Sequence, residues 1–404
     1  MTTSINNAKW ISRDGLLLSL SAFFADLGYQ GVTALYPLYL VLVLKQSPFT
    51  YGLITGLSFG IGSLFASFGG RLGDRFPKKL VIIAGNLGIL LLAFSGLSRI
   101  IWISGLLFMS GWWFRYLRSP ARRALLVQVT QPQYRAKVFG FLHALDIGGG
   151  LLSVVIALLL LICNINAGHI IAFAAIPILI STLVLLPVGS SKLYPVEIKP
   201  SVEPVSEEHA SKQLQHRQVL FHAILTAAAL YGFSFYNLGF PVLSAAKRSG
   251  VMEYGLAAYG LYLAVSAISG WLLGSANMKG LRPLWKWGFI PSSLASLSIA
   301  IDIYLHAGMW LFFAGIAVLG MGMGAVETYE PAMTATLATT GTISSGMGSL
   351  SVARSVGQFG SNFIMGTLFV LNQSYAYIFA AAAVGLAAIV LAIADVRTSE
   401  MRKE

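Results

Sequence analysis

The sequence predicts an all-α integral membrane protein of twelve helices, and three observations predict it. The 404 residues are 56% hydrophobic and only 10% charged, where a soluble domain carries about a quarter charged residues. The apolar residues come in long continuous blocks. A helix needs about 20 apolar residues to cross a bilayer, and only helices and closed barrels can cross one. Barrel strands would alternate in short segments, so these blocks read as helices. Finally, the basic residues gather at alternate ends of the blocks.

The predicted spans are 15–43, 50–72, 80–98, 102–126, 138–163, 168–190, 219–246, 252–276, 284–304, 308–335, 344–370 and 374–395. With both termini cytoplasmic, 20 of the 27 Lys and Arg lie in cytoplasmic loops, tails or helix ends. Lys45, Arg99, Lys247 and Arg248 lie outside, and Arg115, Arg118 and Arg354 lie deeper within helices. The opposite orientation would reverse the positive-inside rule. The net charge of +12 is therefore a topology signal for a multi-pass protein of the cytoplasmic (inner) membrane. It is not a nucleic-acid footprint, because the basic residues are scattered over many short loops. The single cysteine, Cys163, permits no internal disulfide and no thiolate metal cluster. Met1–Arg13 is polar, and the first apolar block is too long for a signal-peptide core.

The longest polar stretch, Ser190–Gln218, holds Pro195, Pro200, Pro204 and the acidic pair Glu207–Glu208. It reads as a cytoplasmic linker. The expected organisation is a six-helix bundle over 1–190, a linker over 191–218 and a second bundle over 219–404. The halves match weakly in the same order. Tyr51-Gly52-Leu53 opens helix two and Tyr254-Gly255-Leu256 opens helix eight; Pro37 corresponds to Pro241. Gly111, Pro120-Ala121 and Ala124 of helix four match Gly322, Pro331-Ala332 and Ala335 of helix ten. Gly140, Asp146 and Gly149 of helix five match Gly348, Arg354 and Gly357 of helix eleven. Two pseudo-symmetric six-helix bundles related by a parallel repeat form a transporter architecture with its substrate site at their interface.

Between helices two and three stands Gly69-Gly70-Arg71-Leu72-Gly73-Asp74-Arg75-Phe76-Pro77-Lys78-Lys79. This resembles the signature loop of the major facilitator superfamily, with Pro77 where the family usually has a second glycine; proline also suits a tight turn. Gly70 and Gly73 permit close helix approach. Asp74 can face the positive end of a neighbouring helix, which the resemblance identifies as the amino-terminal end of helix eleven. Arg75, Lys78 and Lys79 are expected to supply ion pairs at the cytoplasmic rim, completing a conformational latch. Relatives carry an acid near the cytoplasmic end of helix four. Here that region reads Arg122-Arg123-Ala124-Leu125-Leu126-Val127-Gln128, so the rim is wired differently.

An ionisable residue inside a membrane helix is costly and is a functional candidate by default. Asp26 lies eleven residues into helix one, roughly 16 Å deep by helix rise. It reads as a proton carrier or a counter-ion to a cationic substrate, with a structural carboxylate as the alternative. His143 and Asp146 share a face of helix five and are candidates for a proton relay, or for a packed structural pair. Gly148-Gly149-Gly150 are expected to let helix five pack against the other half. The resemblance implies that helices one, four, seven and ten line a central cavity. Its candidate lining is Tyr29 and Tyr36; Trp113, Arg115 and Arg118; Tyr231, Phe233, Tyr236 and Asn237; Glu327 and Glu330; and Arg354 of helix eleven. Arg115 and Arg118 facing Glu327 and Glu330 would form a gate across the cavity. The competing arrangement keeps pairs within each half, Asp146 with Arg118 and a helix-ten Glu with Arg354.

These features predict a secondary transporter, resembling the drug and metabolite exporters of bacterial and archaeal members, with protons as the coupling ion. No nucleotide-binding Gly-rich Lys loop is present. Alternatives are a proton-coupled uptake symporter for an organic anion, a metal exporter and a non-transporting membrane sensor. No His/Cys/carboxylate cluster has the spacing of an enzyme or metal centre. The expectation is therefore a monomeric non-enzyme without cofactor or metal, whose partners are a small-molecule substrate, protons and the lipid bilayer.

Overall fold

The computed structural model describes residues 10–131, 134–190, 207–233, 238–275, 280–337 and 343–400. Helices fill almost all of them, and no strand occurs among the described residues. The chain runs through α1 (Arg13–Leu38), α2 (Pro48–Arg75), α3 (Lys78–Phe94), α4 (Ile101–Gln128) and α5 (Arg135–Ile162). The sixth predicted span is two segments, α6 (Ala167–Phe173) and α7 (Ala175–Leu185). The seventh contributes α8 (Glu207–Gly232) and α9 (Gly239–Ser249), with 234–237 between them outside the described residues. Then follow α10 (Met252–Ser275), α11 (Ile290–Leu305), α12 (Met309–Leu337), α13 (Ile343–Leu371) and α14 (Gln373–Glu400). Helix α8 begins eleven residues before the predicted end of the linker.

Eight stretches of the described helices are long and apolar enough to cross a membrane. They fall on α2, α3, α5, the α6–α7 pair, α10, α11 with its preceding turn, α12 and α14. The charged and polar content of the remaining segments lowers their hydropathy. Helix α4 alone carries Arg115, Arg118, Arg122 and Arg123.

Among the described residues, two π-helical turns interrupt the regular winding. Tyr39–Val43 continues α1 directly after Pro37, whose ring removes a backbone donor and disturbs the preceding turn. Leu284–Phe289 leads into α11 and carries Trp285, Lys286 and Trp287. Such turns are rare and often mark functional positions.

The chain divides into two compact units. The first comprises Met1–Val32, Leu64–Ile156 and Gly168–Glu197. Its core joins Leu18 and Ala22 of α1 to Val81 and Ile82 of α3, Leu117 and Ala121 of α4, and Leu142 of α5. The second comprises Thr33–Ser63, Ala157–Ala167 and Ile198–Glu404. Its core joins Ile224 and Tyr231 of α8, Ala325 and Val326 of α12, and Val384 and Leu391 of α14.

Glycines set the closest crossings. A Cβ on Gly149 of α5 would overlap the Phe23 carbonyl oxygen of α1, within the first unit. The expected packing of this glycine run against the other half is thus corrected: its tight contact is with α1. A Cβ on Gly357 of α13 would likewise overlap the Ala229 carbonyl oxygen of α8, within the second unit. Gly149 and Gly357 are the matched glycines of the sequence repeat, so the repeat preserves one backbone-to-backbone crossing in each unit.

The neighbouring glycines give an internal control. A Cβ on Gly148 meets nothing within 4 Å. Gly148→Ala is expected to leave stability unchanged or raise it by up to about 1 kcal/mol, since alanine suits a helix interior better. Gly149→Ala is expected to lower it by about 1–3 kcal/mol through overpacking. Thermal unfolding of the purified variants in detergent measures both, and equal midpoints would contradict the crossing.

Candidate functional site

The first unit holds a cluster of buried charge on α1, α4 and α5. Asp26 is 3% exposed. Tyr29 donates its hydroxyl hydrogen bond to Asp26 Oδ1, and Gln30 donates through Nε2 at 3.3 Å. Helical spacing at i+3 and i+4 puts both donors on the face of the acid they serve. Asp26 Oδ2 is buried with no hydrogen-bond partner among the described residues.

Arg115 lies beside this group, held by aromatic faces. Its guanidinium carbon is 4.7 Å from the Tyr29 ring centroid and 5.0 Å from that of Trp112. Tyr29 and Trp112 meet edge to face at 5.7 Å. Cation–π contacts of this kind strengthen when desolvated. Two turns further along α4, Arg122 pairs with Asp146 of α5 at 3.6 Å.

Arg118 takes another direction. It is 1% exposed and donates to Asn86 Oδ1 of α3. Asn86 Nδ2 donates to Ser181 Oγ of α7 at 2.8 Å, and Ser181 Oγ donates to the Ser21 carbonyl of α1 at 2.6 Å. This chain of bonds ties α4 to α3, α7 and α1, which is a scaffold role and not the cavity position expected of Arg118. His143 also departs from expectation. It is exposed, and Asp146 is paired with Arg122 and not through a relay with His143.

The second unit carries its own cluster. Arg354 of α13 donates to Glu327 Oε1 of α12 at 2.8 Å and to Glu330 Oε2. Glu330 is fully buried, whereas the Glu327 side chain is 38% exposed. Tyr231 of α8 is buried, stacks on Phe289 at 5.0 Å and contacts Ser292 Oγ at 3.4 Å. Phe233 meets Phe379 edge to face at 6.2 Å. Tyr36 is fully buried and belongs to the second unit. Trp113 stacks on Phe65 of α2 at 5.3 Å. Tyr236 and Asn237 lie outside the described residues.

Both arginine clusters thus find carboxylates inside their own unit, as the competing arrangement foresaw, but with Arg122 and not Arg118 on Asp146. In the 69–79 loop, the closest approach belongs to Gly69, where a Cβ would overlap the Leu117 carbonyl oxygen of α4. At Gly73 it would lie 3.2 Å from Ala121 Cβ, and at Gly70 it would meet only Pro120 at 3.9 Å. Asp74 and Arg75 are exposed. Lys79 donates from Nζ to the Leu186 carbonyl at 2.6 Å, capping the end of α7 where a rim ion pair was expected. The expected partner of Asp74, the amino-terminal end of helix eleven, is the start of α13, where the side chains up to residue 347 lie outside the described residues.

Sequence reading passed over Gln30, Asn86 and the pairing of Arg122. Gln30 had a signal in its i+4 spacing from Asp26. Arg122 was counted with the cytoplasmic charges, and nothing in the sequence marks Asn86.

The family model for the Major Facilitator Superfamily matches residues 18–301. The chain belongs to the Major Facilitator Superfamily. It is a multi-pass membrane protein. It is 31% identical over 152 residues to the multidrug resistance protein MdtH of Proteus mirabilis (strain HI4320), over 34% of this chain and 37% of that protein. It is 28% identical over 134 residues to MdtH of Yersinia pestis (strain Pestoides F), over 31% of this chain and 32% of that protein. The alignments therefore span about a third of these curated relatives. Among solved structures, the peptide transporter POT in complex with sulfate superposes with a TM-score of 0.76 at 13% identity, covering 96% of this chain and 95% of that one. A bacterial homologue of the human lysosomal transporter Spinster, inward-facing and unoccupied, gives 0.69 at 15% identity, covering 97% and 96%. At these identities the likeness shows the fold alone.

The two acids around Arg354 are expected to differ in weight. Glu330→Gln removes the fully buried partner and is expected to cost about 3–5 kcal/mol, the scale for breaking a buried pair. Glu327→Gln is expected to cost about 0–1 kcal/mol, because solvent screens the exposed partner. Adding Arg354→Gln to Glu330→Gln should recover part of the loss. Denaturation of the variants in detergent measures the order, and equal losses for the two Glu variants would overturn it.

Proposed function

We propose that this chain is a secondary transporter that exports a small organic solute in exchange for protons by alternating access. Twelve crossings carry it, with α6–α7 and α8–α9 each counting as one crossing. They form two six-helix halves with both termini cytoplasmic, and the chain acts as a monomer in the inner membrane.

The observation that carries the proton assignment is Asp26. It is buried on α1, beside Arg115, with one carboxylate oxygen held by Tyr29 and Gln30 and the other unpartnered. An acid with a bare, desolvated oxygen is suited to take up and release a proton. The export direction rests on the relatives, whose names describe multidrug resistance. The aromatic residues around Arg115 suit a mostly apolar ligand with a few polar groups.

Asp26→Asn is expected to abolish solute flux driven by an imposed pH gradient in reconstituted vesicles. The variant should keep the melting temperature of the unaltered protein and should still exchange solute across the membrane without a gradient. Undiminished gradient-driven flux would overturn the assignment.

In this reading the 69–79 loop is a latch for the cytoplasm-closed state, with Asp74 facing the start of α13. Asp74→Asn is expected to weaken that state by about 1 kcal/mol, the scale of a charge at a helix terminus. Labelling of cysteines introduced along the cytoplasmic pathway measures this, in a Cys163→Ser background because Cys163 is exposed. Unchanged labelling would refute the latch.

A further inference from the structure

Outside the charged clusters, the second unit carries a groove between α11 and α14 of about 230 Å³. Trp285, Ser293 and Leu294 line one wall, and Gly385, Ala388 and Ala392 line the other. The groove exists because α14 presents small residues where its neighbours on the same helix are large. A Cβ on Gly385 would meet only Ser293 Oγ, at 3.4 Å. Ser293 already donates to the Ala381 carbonyl at 2.8 Å, so the floor is chemically quiet.

Three features indicate what fills it. First, the groove faces lipid. Its walls belong to two stretches apolar enough to span a membrane, and Leu294 and Ile389 on its rim are 59% and 55% exposed. Second, its length fits one leaflet. From Trp285 to Leu294 the helix advances about 14 Å at 1.5 Å per residue, close to half of a hydrocarbon core about 30 Å thick. Third, its mouth is cationic. Arg282, three residues before the wall residue Trp285, and Lys286, directly after it, are both exposed, and Lys286 Nζ lies 5.7 Å from the ring centroid of the exposed Trp287. Tryptophan and basic side chains at one end of a span are the pattern of a headgroup interface. The indole N–H of Trp285 adds an unmet demand: it is closed to solvent and has no acceptor among the described residues. A small outward turn of the ring would give it an ester or phosphate oxygen at the mouth. A second copy of the chain is the poorer occupant, because a two-fold contact here would bring Arg282 and Lys286 against their own copies.

We propose that this groove is a binding site for an anionic phospholipid, with one acyl chain along Gly385, Ala388 and Ala392 and the phosphate facing Arg282 and Lys286. The lining of the groove shares no residue with the Asp26 or Arg354 clusters, so the site stands whether or not the chain exchanges protons.

The test uses the full chain in detergent, titrated separately with dioleoyl-phosphatidylglycerol and dioleoyl-phosphatidylcholine, with bound lipid counted by native mass spectrometry. The unaltered chain should retain one phosphatidylglycerol in preference to phosphatidylcholine. Each basic residue at a membrane surface contributes about fivefold. Lys286→Gln should therefore cut the preference about fivefold, Arg282→Gln with Lys286→Gln should bring it near one, and Lys286→Arg should retain it. Gly385→Leu with Ala392→Leu should remove the retained lipid of either headgroup. The charge variants alter exposed residues and keep the proposal testable if the filled groove destabilises the fold. An unchanged preference in the double charge variant would overturn the proposal. So would a filled groove that keeps its lipid, or one that changes only the oligomeric mass, which would mark a chain–chain surface.

Discussion

A charged side chain within the hydrocarbon of a bilayer persists only beside a group that offsets its lost hydration, and the helices of this protein are tied together by the pairs that do so. Arg122 of α4 meets Asp146 of α5. Arg354 of α13 meets Glu327 and Glu330 of α12. Arg118, without a carboxylate on its hydrogen-bonded side, runs instead into a relay through Asn86, Ser181 and the Ser21 carbonyl. In water these contacts would contribute little. In a low-dielectric interior, an unsatisfied partner is expensive, so each pair fixes how two neighbouring helices rotate against one another.

The two units use the same construction with the charges exchanged. Asp146 and Arg354 occupy matched positions in the repeat, flanked by Gly140 and Gly149 in one half and Gly348 and Gly357 in the other. The helix that follows the cation in one unit follows the anion in the other. Yet both pairs close the same interface, helix four with five and helix ten with eleven. The matched glycines Gly149 and Gly357 bring the same helix onto α1 and α8 respectively, with backbone against side-chain-free backbone. Geometry has been kept where a Cβ would collide, whereas the sign of the charge has not been kept, because either polarity satisfies the same pair.

Element placement was largely legible in the sequence, since an uninterrupted apolar block of the right length has few alternatives. The breaks were not. The stop at Ala174 and the π turn at Leu284–Phe289 depend on how neighbouring helices pack, which hydropathy does not encode. The site was legible in depth but not in direction. Counting along a helix put Asp26, Arg115 and Arg354 deep, and each is in a cluster of polar or aromatic contacts. The same count could not say that Arg118 turns toward Asn86, or that Asp146 reaches Arg122 one turn further along α4. A residue's azimuth is set by its helix rotation, and rotation is fixed by contacts such as Gly69 against Leu117. These appear in the sequence only as one more glycine.

The buried charges differ in what a helix movement would do to them. Asp146, Glu327 and Glu330 each depend on an arginine from another helix, so sliding those helices apart would strand both partners. Asp26 is held differently. Its hydrogen-bond donors, Tyr29 and Gln30, are on its own helix, so the group stays intact however α1 tilts. The neighbouring Arg115 is held by ring faces, and cation–π attraction tolerates small displacements better than a directional bidentate bond does. The proton exchange proposed above needs this independence, because an acid that carries the proton must keep its local partners while its surroundings change from one side of the membrane to the other. The interhelical pairs are therefore suited to serve as struts. Asp26, supported from within α1 and bare at Oδ2, is suited to move with its charge.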